Sequence, residues 1–318
     1  MRAQSYLSPI IDGYIKYRKA SGRDSYSYIK NVILFEHFCT REYPAQAELT
    51  QEMADKWCRQ RISESTNSCV SRIYPILNFI KYMKKRGLTN IDLPQVPKSV
   101  PRTYIPHAFT RQELERFFNA CDNIKPRRGT LSVIQRIILP VFFRLLYSSG
   151  MRTTEAILLE REDVNFENGV ISIKRGKGYD QHFVVLHDTM LALMRIYDRK
   201  ISELIPNRRI FFPTPDDKPH NPAWVTYHFR VLWQGCNKLH ATPYELRHNY
   251  AIENINSWIH QGFAIHDKLL ALSKSMGHKQ IESTLAYYSL TPAISDIMEF
   301  DDIEMYESLI QGTDEEKD

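Results

Sequence analysis

Residues 145–164 read LLYSSGMRTTEAILLEREDV. An apolar run with helical spacing, Ile134 to Tyr147, ends here at Ser148-Ser149-Gly150, and glycine supplies the left-handed backbone on which helices stop. Arg152 then stands at the opening of the next helix. Glu155 lies three residues on, one helical turn away, so carboxylate and guanidinium can be neighbours. Taken alone, an arginine after a glycine is ordinarily a surface or capping residue, and the flanking segments decide its meaning.

Downstream, Gly169–Ile173 and His182–Leu186 alternate apolar and polar residues around Gly176-Lys177-Gly178, which predicts a small hairpin with a cationic tip. In TPYELRHNYAIENI (242–255), Pro243 starts a helix whose first turns carry Arg247 and His248. The segment SMGH (275–278) places His278 after a glycine, and IESTLAYYSLTP (281–292) holds Tyr287 and Tyr288. Upstream, Thr110-Arg111-Gln112-Glu113 has the form of a capping box ahead of LERFFNAC. Residues 1–90 show helical spacing throughout, and Lys84-Lys85-Arg86-Gly87 reads as a helix stop. Pro94, Pro97, Pro101 and Pro106 then predict an extended linker. The expected fold is mainly α: a helical domain over 1–92, a linker over 93–107, a mainly helical domain with a small β-sheet over 108–298, and an acidic tail over 299–318.

The net charge of +5 is unevenly spread. Residues 1–100 hold 16 Lys and Arg against 9 Asp and Glu, whereas residues 299–318 hold 9 acids and only Lys317. Two basic blocks and an acidic end suit a body that binds a polyanion. No apolar run approaches the ~20 residues of a membrane span. The opening MRAQSYLSPIIDGYIKYRKA, broken by Asp12 and Lys16, does not read as a signal peptide, so a cytoplasmic, nucleoid-associated protein is expected. Five scattered cysteines without a CxxC pair argue against a disulfide framework or a zinc site.

Two arginines, a lysine, a histidine and a tyrosine suffice for phosphodiester cleavage without metal. Arginine's planar fork holds two phosphate oxygens at once, and two forks can neutralise a pentacoordinate phosphorane. A lysine on a hairpin can protonate the departing 5′ oxygen, and a tyrosine hydroxyl can attack phosphorus and keep the bond energy for rejoining. Few carboxylates are available to hold Mg²⁺, so no metal and no cofactor is expected.

Gly150-Met151-Arg152-x-x-Glu155, Gly176-Lys177-Gly178, Leu246-Arg247-His248, Gly277-His278 and Tyr287 together resemble, in order and spacing, the motifs of the tyrosine recombinase (phage integrase) family. The resemblance spans nearly the whole chain, with residues 1–92 similar to the family's SAM-like core-binding domain, in the simple form without an arm-binding domain. It implies that Arg152 and Arg247 clamp the scissile phosphate, Lys177 protonates the leaving oxygen, His278 hydrogen-bonds the phosphate and Tyr287 attacks. Glu155 would orient Arg152 and Lys177, with His248 a supporting residue. One departure stands out. The family's usual histidine three residues before the second arginine is Tyr244 here, whose hydroxyl can donate to a phosphate but does not shuttle protons near neutrality as histidine does.

The implied activity is site-specific cleavage and rejoining of duplex DNA through a 3′-phosphotyrosine and a Holliday junction. A mobile element is the favoured setting, with an inversion switch and a dimer resolvase left open by the sequence. The two domains would form a clamp around double-stranded DNA carrying short inverted repeats, with a dimer per site, a tetramer in synapsis and an accessory directionality protein as an optional partner. A helix over 291–309 would dock on a neighbouring protomer. The rival readings are a catalytically decayed DNA-binding regulator on the same scaffold and a tyrosine-type topoisomerase.

Overall fold

The computed structural model describes residues 5–23, 25–100, 106–125, 129–174, 181–258, 265–278 and 280–288. The chain divides into two compact units, Met1–Tyr104 and Ile105–Asp318. The division falls inside the proline-rich stretch.

The first unit is built from α1 (Ser8–Ala20), α2 (Tyr26–Glu42), α3 (Gln51–Cys58) and α4 (Thr66–Lys84). The hydroxyls of Thr50 and Ser65 accept from Met53 N and Ser68 N, which caps α3 and α4. Beyond α4 the chain turns at Gly87 (φ +66°), where Leu88 N donates to Met83 O at 3.0 Å. That is the stop predicted from the lysine, arginine and glycine run. Ile11, Tyr14, Phe35, Trp57, Ile76 and Phe79 form the centre of its core. Arg72, although basic, is structural: its guanidinium grips Glu64 at 2.8 and 2.6 Å and also donates to Trp57 O, and this pairing holds the Glu64 carboxyl below its ordinary pKa.

Residues 91–100 carry no regular secondary structure, and they are tied to the first unit. Asp92 N donates to Gln51 Oε1 at 2.7 Å, and the Asn67 amide brackets the Val100 backbone at 2.8 and 2.9 Å. Pro94 is buried.

In the second unit, α5 (Arg111–Asp122) begins with the expected capping box of Thr110 and Glu113. Then come α6 (Thr130–Ser149) and the short α7 (Thr153–Ile157). Helix α6 buries Ile134, Ile138, Phe142, Phe143, Leu145 and Leu146, so it is the central helix of this core. Strands β1 (Val164–Asn165), β2 (Val170–Ile173) and β3 (His182–Val185) make one antiparallel sheet in that order, with Ile171 opposite Val184. The sheet's period of two sends His182 and Val184 inward and leaves Phe183 and Val185 exposed.

The remaining helices are α8 (Asp188–Leu204), α9 (Pro222–Gln234), α10 (Pro243–Trp258), α11 (Ile265–Ser275) and α12 (Glu282–Tyr288). A smaller apolar cluster of Ala251, Ile255, Leu269, Leu272, Met276 and Tyr287 seats α12 against α10 and α11. No helix among the described residues is long and apolar enough to cross a membrane. All five cysteines are free thiols, and burial pushes Cys39, Cys58 and Cys121 up to about 12, so they are inert packing residues.

Candidate active site

Three helix ends build the site. The first is the end of α6, where Gly150 takes φ +61° and closes the helix. A Cβ there would lie 2.3 Å from Tyr250 Cδ1, so glycine is required by both backbone and packing. We expect Gly150→Ala to cost about 2–4 kcal/mol, combining left-handed strain with overpacking. Urea unfolding measures it, and an unchanged midpoint would contradict the contact.

Arg152 is the N-cap of α7, and Glu155 closes a reciprocal arrangement around it. Arg152 N donates to Glu155 Oε2 at 2.8 Å and Nη1 to Oε1 at 2.5 Å, with the Glu155 side chain fully buried. The guanidinium keeps partial access to solvent, and its Nη2 donates to Gly277 O at 2.5 Å.

The second end is the start of α10. Glu245 accepts from Thr242 N and so closes the first turn, with Pro243 at the first helical positions. That registers Arg247 inward, only 2 % exposed. Its Nη1 donates to Gly150 O, and Nη2 donates to Met276 O at 2.8 Å and to His278 Nε2 at 2.8 Å. Burial first, and then the neighbouring Arg152, lower its pKa.

The third end is that of α11. His278 N donates to Ser273 O and Gly277 N to Lys274 O, both at 3.0 Å, and Gly277 has φ +61°. This turn aims the successive carbonyls of Met276 and Gly277 at Arg247 and Arg152 and delivers His278 beside them.

Arginine only donates, so His278 Nε2 accepts from Arg247, and Nδ1–H donates to Thr284 Oγ1 at 2.7 Å. His278 therefore carries the neutral Nδ1–H tautomer and braces Arg247. Burial, Arg247, Arg152 and His182 hold its pKa down to about 4. The unfolded chain takes up this proton near pH 6.5 and the folded chain resists it, so stability is complete above 6.5 and declines as pH falls towards 4. Substituting His278→Gln keeps an acceptor for Arg247. It should flatten that decline by about 1–2 kcal/mol between pH 7 and 4.5, a figure discounted for partial exposure. Urea midpoints compared across that range provide the check.

Tyr287 is 5 % exposed on α12, between two imidazoles: the His248 ring is 5.2 Å away and tilted, the His278 ring 6.2 Å away and nearly parallel. Burial raises its pKa, opposed chiefly by the Arg247 guanidinium and then by Arg152. Tyr244, 47 % exposed, sets its ring edge-on to His248 at 4.8 Å. Burial keeps His248 below its ordinary pKa.

Arg152, Arg247, His278, Tyr287, Glu155 and His248 thus converge, with Tyr244 at the exposed margin. Lys177 lies outside the described residues, as does the segment 291–309. Its neighbour Lys174 is committed elsewhere, to Asp163 at 2.7 Å and Glu162 at 3.0 Å. Two residues escaped the sequence reading. Thr284 accepts from His278 Nδ1–H, one turn before Tyr287. His182, its ring beneath Gly277 and its Nε2 4.0 Å from Glu155, was legible only as an inward position of β3. Among the described residues no group of three His, Cys, Asp or Glu side chains is arranged to hold a metal ion.

A mainly helical unit with a three-stranded sheet, two convergent arginines and a buried tyrosine defines the class, and comparison with known proteins agrees. The model of the phage integrase family matches residues 107–293, well over half of the chain. The chain belongs to that family of tyrosine recombinases, which cleave and rejoin DNA. Tyrosine recombinase XerA of Pyrococcus furiosus is 22% identical over 302 residues, 92% of this chain and 93% of its own. The fold resembles the XerH site-specific recombinase bound to palindromic difH substrate in a post-cleavage complex, with TM-score 0.61, 18% identity, and 92% and 84% of the two chains covered. It also resembles the Tn1549 transposon integrase in complex with transposon right end DNA, with TM-score 0.56, 15% identity, and 95% and 99% covered.

Proposed function

We propose that this chain is a site-specific DNA recombinase in which Tyr287 attacks the scissile phosphate, held by Arg152 and Arg247. The observation that carries the reading is Arg247. Its guanidinium is nearly fully buried, and it donates to two carbonyls and an imidazole and bears on the Tyr287 hydroxyl, yet among the described residues no carboxylate stands at ion-pair distance. A buried cation without an anion costs several kcal/mol, and such a cost is characteristic of sites that take an anionic ligand. A phosphate seated there meets a second fork from Arg152 and the Tyr287 ring.

In the proposed step the Tyr287 oxygen bonds to phosphorus and its proton passes to His248, whose ring lies 5.2 Å away and which burial keeps neutral. The P–O5′ bond breaks, and Lys177 protonates the departing oxygen. The 3′-phosphotyrosine retains the bond energy, so attack by a new 5′ hydroxyl rejoins the strand and leads through a Holliday junction. His278 and Thr284 hold Arg247 in place, and Tyr244 donates to the phosphate from the exposed side.

The substrate is double-stranded DNA with short inverted repeats, bound by two protomers per site and four in synapsis, with an accessory directionality protein as an optional partner. Residues 1–92 act as the core-binding domain and 108–298 as the catalytic domain. The likeness to a transposon integrase favours a mobile element as the setting. Incubation with nicked duplexes of randomised core, followed by denaturing electrophoresis, tests the reading. A slow-migrating protein–DNA band supports it and yields the target sequence. Salt-sensitive binding without any such band would defeat it.

A further inference from the structure

The first unit contains a pocket of about 350 Å³ between the last turns of α1, the start of α2 and the last turns of α4. Its walls are tyrosine rings. Tyr82 lies 4.9 Å from Tyr14 and 5.5 Å from Tyr17, centroid to centroid, and Tyr28 faces the same space. Gly13 permits this arrangement: a Cβ there would stand 3.2 Å from the Tyr82 hydroxyl. Its cations are Arg18, Arg23, Lys81, Lys85 and Arg86, and no acidic residue lines it. Two of the arginines sit over tyrosine rings, Arg18 over Tyr28 at 3.9 Å and Arg86 over Tyr82 at 3.8 Å. Arg18 is held further by its bonds to Arg23 O at 2.7 Å and Tyr14 Oη at 3.3 Å.

Cations at the ends of α1 and α4 complement the two helix dipoles, which accounts for their presence. It does not account for a hollow lined by four tyrosines with guanidiniums over two of their rings. Aromatic faces accept a planar base, arginine edges accept phosphate, and the volume lies at the lower end of the range for small ligands, ~300–1,000 Å³. We propose that this pocket binds a nucleoside phosphate, its base against the tyrosine wall and its phosphate among the arginines and lysines. The ligand is either a free nucleotide or an unpaired nucleotide of a DNA strand. The readout is equilibrium binding, so the pocket stands or falls separately from the chemistry of Tyr287.

The full chain is titrated by calorimetry with deoxyadenosine 5′-monophosphate, deoxyadenosine, inorganic phosphate, a single-stranded oligo-deoxyadenylate and a short duplex. Each titration is repeated with Tyr17→Leu and Arg86→Gln. Tyr17 is half exposed, so its replacement spares the core, and thermal melting confirms that both variants fold. The monophosphate or the single strand should bind one to one, with deoxyadenosine and phosphate each at least about tenfold weaker. Each substitution should weaken binding by about tenfold, the worth of one stacked ring or one charge-assisted contact. Binding of the monophosphate identifies a free nucleotide, and binding of the single strand alone identifies an unpaired nucleotide of DNA. Equal binding by both variants, phosphate matching the monophosphate, or binding of duplex alone would each overturn the pocket.

Discussion

Tyr287→Phe should yield no covalent protein–DNA adduct, with strand cleavage lowered by at least about 10⁴-fold, as when other enzymes lose their covalent nucleophile. The same protein should bind duplex DNA within about twofold of wild type. Tyr287 packs with Ala251, Ile255, Leu269, Leu272 and Met276 to seat α12. Phenylalanine keeps that ring and removes only the oxygen, so fold and chemistry separate cleanly. Cleavage that persists in the variant would move the nucleophile elsewhere, with Tyr288 the first candidate. Trapping on nicked duplexes, scored beside a filter-binding isotherm, reads both quantities on one preparation.

Arg247→Lys should lower the cleavage rate by about 10²–10³-fold while duplex affinity falls by less than about threefold. The wild-type guanidinium reaches Gly150 O, Met276 O and His278 Nε2 together because its donors are spread over a rigid fork. An ammonium is a point charge with three donors on a flexible stem and cannot span those acceptors while meeting a phosphate. His278 would lose the donor that sets its tautomer. Overall affinity should hardly move, because it is distributed over many phosphate contacts. Single-turnover cleavage at saturating enzyme gives the rate, and a rate within tenfold of wild type would remove Arg247 from its place as phosphate clamp.

Much of the fold was legible because its signals are local. The Thr110–Glu113 capping box, the stop at Gly87 and the β2–β3 hairpin each depend on a few adjacent residues, and each lies where the sequence placed it. The lack of regular structure in residues 91–100 was legible from their prolines, but their anchoring was not. Their hydrogen bonds to Gln51 and Asn67 span 41 and 33 residues, a separation to which local pattern is blind.

The sequence by itself determined which residue types meet at the site and on which local frames they ride. Gly150 before Arg152, Pro243 ahead of Arg247, Gly277 before His278 and the helix carrying Tyr287 are all short-range features. Only the tertiary structure decided what those groups do to one another. Whether His278 reaches outward or braces Arg247 depends on Thr284, and its low pKa depends on burial first and then on two arginines from distant segments. That Met276 and Gly277 offer their carbonyls to the two arginines follows from the turn at the end of α11, while His182 enters through the inward face of β3. Electrostatics and burial act through space and fall off over a few ångströms, so neither can be read from spacing along the chain.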